Sequence, residues 1–146
     1  MTAPTQDWWT DEWADDDPSG AAAPEGQPPP PLQYADVGDW YTNWFRLVYR
    51  RHTTDTRPWC PYWWRHAEVV ARLEAIWRAW EQLRRPAEYG GDEWFGAAIW
   101  WRDYADPCMD RLMDRDGPFR YCLQNKHSDE LHPLPSEPVP PGLFTR

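Results

Sequence analysis

The sequence predicts an all-α fold, a small tryptophan-rich domain of three or four helices flanked by disordered acidic and proline-rich tails. Three observations lead there. Apolar residues recur at helical spacing over a long central stretch. No alternating apolar–polar run is long enough for a strand. Proline and unbalanced charge collect at the two ends of the chain. A length of 146 residues fits one domain. The expected division is a tail at 1–31, a helical domain at 32–127 and a second tail at 128–146.

The central stretch, Trp59 to Arg85, holds five of the thirteen tryptophans. Val69, Leu73, Ile76, Trp80 and Leu83 follow one another at spacings of four, three, four and three. Val70 and Trp77 widen the same stripe, and Pro86 stops the helix. Three charged pairs in the favourable order support it: Glu68 with Arg72, Glu74 with Arg78, and Glu81 with Arg85. Trp77 and Trp80 are expected in the core. Trp59, Trp63 and Trp64, beside the turn around Pro58 and Pro61, are also expected to pack inward.

Upstream, residues 34–51 predict a first helix, capped by Asp36, with Trp40, Trp44, Leu47 and Val48 as its stripe. Downstream, residues 93–115 predict one or two helices. Ile99, Trp100 and Trp101 form an apolar run, Arg102 is placed to pair with Asp106, and Pro107 breaks or starts a helix. Met109, Leu112 and Met113 form a further short stripe. Asp116-Gly117-Pro118 reads as a turn, followed by an irregular piece to His127.

Residues 1–31 hold seven acidic residues and no basic ones. The segment 32–127 carries fourteen of each sign, so the net charge of −9 sits in the tails. That balance argues against a strongly basic nucleic-acid binder. Within the first tail, Trp8, Trp9 and Trp13 stand among six carboxylates in DWWTDEWADDD. This pattern predicts a short motif that contacts a protein partner, with a basic surface as its target. Arg46, Arg50, Arg51, Arg84 and Arg85 are the candidates for nucleic-acid contact. No apolar run is long enough for a membrane span, and no signal-peptide pattern opens the chain, so a cytoplasmic protein is expected. Its three cysteines are then free thiols or metal ligands.

Cysteine and histidine fall in three places: Cys60 with His66, Cys122 with His127, and Cys108 between them. Zinc takes four nitrogen or sulfur donors, commonly as two close pairs on loops. Cys60, His66, Cys108, Cys122 and His127 are therefore candidate ligands of one structural zinc, although the spacing within each pair is wider than is usual. The alternative is buried thiols and hydrogen-bonded imidazoles. Because zinc bonds are about 2 Å long, a separation of Cys60, His66 and Cys122 beyond about 10 Å would exclude both a shared metal and a catalytic centre. The H-x-E at His66 to Glu68 and the later Pro107-Cys108 do not make a deaminase signature, since position 111 is Arg. No catalytic residue is assigned.

The motifs WCPYWWRHAEVVARLEAIWRAWEQLR, WWRDYADPCMDRLMDRDGPFRYC and the following His127 together resemble the actinobacterial domain of unknown function 4913 family. Its pattern reads W-C-P-x-W-W-x-H, then W-W-R-D-x-A-D-P-H, then D-G-P-F-x-x-C. The resemblance covers about Tyr34 to Leu131 and implies a gene carried on plasmids, integrated elements or phages, with no assigned activity. Two positions depart from the family pattern. Ala67 stands where it has Pro, and Cys108 where it has His. If position 108 ligates a metal, Cys can do so as well; if it serves as a general base, Cys is a poor substitute. The leading functional expectation is a non-enzymatic binding or accessory protein of a mobile element. A zinc-stabilised module touching nucleic acid is the alternative, and a thiol- or metal-dependent enzyme comes third.

Overall fold

The structure is a computed structural model and describes residues 25–144. Three helical runs make up the described part, and it contains no strand beyond one isolated bridge between Thr54 and Arg57. The first run covers residues 37–48, the central helix Ala67–Leu83, and the third run residues 96–112. Short 3₁₀ turns at Trp63–Arg65 and Ala87–Tyr89 join them. Among the described residues, no helix is long and apolar enough to cross a membrane.

The central helix follows its pattern closely. Val69, Leu73, Ile76 and Trp77 are buried along one face. The pairs Glu68–Arg72 and Glu74–Arg78 form at 2.9 and 2.8 Å. The expected Glu81–Arg85 pair does not form. Glu81 is buried, and its carboxylate accepts the backbone N–H groups of Gln33 and Tyr34 at 3.0–3.1 Å. This ties the strand-like approach to the first helix onto the end of the central one. Arg85 turns instead to Gln82.

The first and third runs each contain one π-helical turn, at Tyr41–Phe45 and Trp101–Ala105. Such a turn adds a residue to the helix and rotates everything after it. In the first run Asp36 caps the start as expected, accepting from the Asp39 N–H at 2.8 Å. The stripe then passes from Trp40 to Phe45, five residues on, and both are buried. Leu47 and Val48, expected inside, are exposed. In the third run the π turn sits just before Pro107, whose missing N–H cannot bond one turn back. The helix therefore continues through Pro107 as one run, and Met109, Leu112 and Met113 are buried. Arg102 pairs with its neighbour Asp103 at 2.7 Å and not with Asp106.

The central helix and the third run form an antiparallel hairpin. Its tightest point is Gly96, where a Cβ would stand 2.4 Å from the Leu83 carbonyl oxygen. One turn further on, the buried Trp100 indole donates to the Ile76 carbonyl at 2.7 Å. Trp40 meets Trp100 edge-on at 6.1 Å and stacks on Phe45 at 4.8 Å, so the first run closes over the hairpin through aromatic rings. Of the tryptophans expected inside, Trp63 is buried and Trp59 half-buried, but Trp64 is 57% exposed. It lies in the 3₁₀ turn next to Trp63, where adjacent side chains cannot both face the core.

The buried carboxylate at Glu81 yields a direct check. Glu81→Ala leaves two backbone N–H groups without an acceptor, which should cost about 2–4 kcal/mol. For a domain of this size that lowers Tm by roughly 10 °C or more, measured by calorimetry. Glu81→Gln keeps one acceptor oxygen and should lose less.

Candidate metal centre

Cys60, His66, Cys122 and His127 converge, each offering one donor atom, and these atoms all lie within 4.8 Å of one another. Both cysteines are buried and both histidines half-buried. The first pair is set by the approach to the central helix. Pro61 and Tyr62 make a turn, the 3₁₀ turn Trp63–Arg65 follows, and His66 is the extended residue that precedes helical Ala67. Ala67 is the first residue of the helix, and His66 before it makes no side-chain cap.

The second pair is set by a tight turn. The Lys126 N–H donates to the Leu123 carbonyl at 3.1 Å, with Gln124 and Asn125 both in the left-handed region at φ 55° and 60°. Two consecutive residues of that kind reverse the chain in the manner of a type I′ turn. This brings His127 back beside Cys122. Phe119 packs edge-on against the His66 ring at 5.0 Å and against Trp59 at 4.8 Å, which fixes the cluster to the aromatic core.

The nitrogens are assigned by their other contacts. His66 presents Nε2 to the Cys122 sulfur, and His127 presents Nδ1 to the Cys60 sulfur, each at 3.5 Å. The second nitrogen of His127, Nε2, meets the Asp129 carboxylate at 2.5 Å, and Arg65 flanks that carboxylate at 3.5 Å. A carboxylate behind a histidine fixes its tautomer and orients its free nitrogen toward a metal. The Ser128 backbone N–H donates to the Cys122 sulfur at 3.3 Å, which fixes the position of that sulfur.

Burial sets the electrostatics of two of these groups. Burial, with the neighbouring Cys122 adding to it, pushes the Cys60 thiol up to about 11, against the pull of the Tyr62 backbone N–H and Arg65. Burial and the facing His127 hold His66 below the ordinary imidazole value, with Asp129 acting in the opposite sense. A divalent ion at this place would reverse the balance at the Cys60 sulfur.

Cys108 is not part of this group. It sits on the third run, buried, with its thiol pushed up to about 11 by burial despite Arg72 nearby. Trp8, Trp9 and Trp13 lie outside the described residues. The five arginines do not share one face. Arg46, Arg50 and Arg51 line a cavity at the end of the first run. Arg84 lies over the Trp80 ring at 4.4 Å, at the end of the central helix beside the start of the first run. Asp129 went unnoticed in the sequence; its signal is a carboxylate two residues after His127.

A helical hairpin closed by a third helix, with a two-cysteine, two-histidine cluster at the far side of an aromatic core, defines a small all-α domain with a candidate metal centre. The chain belongs to the family described as Domain of unknown function (DUF4913), which it matches over residues 34–140. All four clustered residues lie inside that match. No curated protein and no solved structure matches the chain.

The shifted groups set a pH window for chelator-treated protein. With His66 lowered from 6.5, the unfolded chain binds the extra proton first, so stability is lost as pH falls below about 6.5. With Cys60 and Cys108 raised from 9.0 to about 11, the unfolded chain gives up protons first, so stability is lost as pH rises through that interval. Urea unfolding of chelated protein across pH 5 to 11 should show its midpoint highest between about 6.5 and 9.

Proposed function

We propose that the domain is a non-enzymatic binding module stabilised by one structural zinc held by Cys60, His66, Cys122 and His127. One observation carries this reading. Two donors bound to zinc at 2.3 Å (sulfur) and 2.0–2.1 Å (nitrogen), at a tetrahedral angle, stand about 3.5 Å apart. Two of the four sulfur–nitrogen separations in the cluster are 3.5 Å, and all four donor atoms lie within 4.8 Å of one another. The donor set is also the type zinc prefers, and Asp129 behind His127 is the usual outer support of a ligating imidazole.

Four protein donors leave a tetrahedral ion no open position for water or substrate, which supports a structural over a catalytic role. A thiol nucleophile is disfavoured for a separate reason. It must ionise, and burial pushes both Cys60 and Cys108 to about 11. The accessory role in an actinobacterial mobile element belongs to this proposal through the family resemblance. Direct nucleic-acid contact through the arginines is the weaker reading, since they are divided between two places.

Elemental analysis of purified protein should return about one zinc per chain. Cys60→Ser and Cys122→Ser should each lose it, and Cys108→Ser should keep it. Asp129→Asn should retain the fold but weaken zinc by roughly 10–100-fold in a chelator competition. Protein that takes up no metal after refolding with zinc, or whose Tm ignores chelator, would sink the proposal.

A further inference from the structure

One feature of the surface lies away from the cluster and combines rings, thioethers and cations. A cavity of about 270 Å³ opens at the end of the first helical run. The rings of Tyr41, Phe45, Tyr49 and Trp59 and the thioethers of Met109 and Met113 line it. Arg46, Arg50 and Arg51 line it too, and no carboxylate does. Arg50 donates to the Leu47 carbonyl, Arg51 donates to the Arg50 carbonyl, and Arg51 lies over the Tyr49 ring at 3.9 Å. Among the described residues the ion pairs fall on other arginines, so these three guanidinium groups have no acidic partner. An apolar, methionine-lined hollow with three uncompensated cations calls for an occupant that is aromatic and anionic at once.

The chain itself contains such a segment. Residues 7–17 bring Trp8, Trp9 and Trp13 together with six carboxylates and no cation. We infer that this acidic tryptophan segment docks intramolecularly in the cavity, an indole entering the hollow and the carboxylates meeting Arg46, Arg50 and Arg51. Size permits it. A cavity of about 150 Å³ takes benzene, so 270 Å³ takes an indole. Reach permits it as well. Trp13 lies twelve residues before Glu25, roughly 40 Å of extended chain. A body of about a hundred residues is roughly 35 Å across. Tethering then presents the segment at an effective concentration on the order of millimolar. A free nucleic acid must compete with that from solution, against a folded segment with equal numbers of acids and bases, and with only three arginines at the cavity. The self-docked segment is therefore favoured over it.

Photo-crosslinking of the full chain tests this. Trp9 or Trp13 is replaced by benzoylphenylalanine, which attacks methionine C–H bonds readily, and the adducts are mapped by mass spectrometry. The expected product is monomeric, with links to Met109, Met113 or the rings of residues 41–59. Its yield should fall several-fold in 1 M salt, where charges beyond about 3 Å are screened. It should fall likewise in Arg46→Glu/Arg50→Glu and in Asp15→Asn/Asp16→Asn/Asp17→Asn. The second variant leaves the described residues untouched, so a folding defect in the first does not blur the result. Links to another face, yields indifferent to both variants, or covalent dimers would each overturn the intramolecular docking. So would a single-stranded oligonucleotide that displaces the link at micromolar concentration.

Discussion

One buried hydrogen bond governs how the helices meet. The Trp100 indole donates to the Ile76 carbonyl across the hairpin, an acceptor on the neighbouring helix. A large ring with one polar atom can be buried only where that atom finds a partner. The partner is available because Gly96, one turn earlier, lets the third run touch the end of the central helix. Trp40 then packs on the edge of Trp100, and Trp44 on Trp80, so the first run takes its position from the hairpin. The indoles of Trp40 and Trp77 are buried with no acceptor among the described residues, at a cost of about 1–3 kcal/mol each. Ring packing against ring, together with the aliphatic and thioether side chains of the core, offsets that cost.

The parts of this arrangement that follow a 3.6-residue period were legible from the chain. The central helix is the clearest case, because Val69, Leu73 and Ile76 repeat without interruption and Pro86 ends them. The first and third runs were legible as helices but not in their facing. Each π turn shifts the stripe by one residue, and no residue type announces one. Leu47 and Val48 therefore point outward, and Phe45 and Tyr49 take their places. Of the three ion pairs read on the central helix, Glu68–Arg72 and Glu74–Arg78 were legible and the partner of Glu81 was not. Glu81 has a correctly spaced arginine, but two backbone N–H groups some forty-seven residues away offer a better use for a buried carboxylate.

At the candidate centre the two Cys–His pairs were legible as pairs, since each borders a turn. Their convergence was not, because it depends on the hairpin returning Cys122 to the start of the central helix. Cys108 shows the limit of spacing arguments. It lies between the pairs in sequence, yet the helix that carries it buries it on the core side, away from the other four donors. Phe119 links the two halves of the molecule by lying against both His66 and Trp59. The core and the cluster are therefore not independent. Loosening the ring shifts an imidazole, and freeing the imidazole exposes the ring.

The order of the four donors along the chain has a topological consequence. The pair at 60–66 precedes the hairpin and the pair at 122–127 follows it, so an ion shared by all four closes a covalent-like ring around the central and third helices. Closing a loop of that length removes conformational freedom worth about 4 kcal/mol from an unfolded chain that keeps the link. The first helical run lies outside the ring, held by its aromatic contacts, by Val37 against the core and by the Glu81 tie. Arg46, Arg50 and Arg51 lie in and just after this run. With an ion bound, the basic cavity would lie where the helix outside the ring meets the third run inside it.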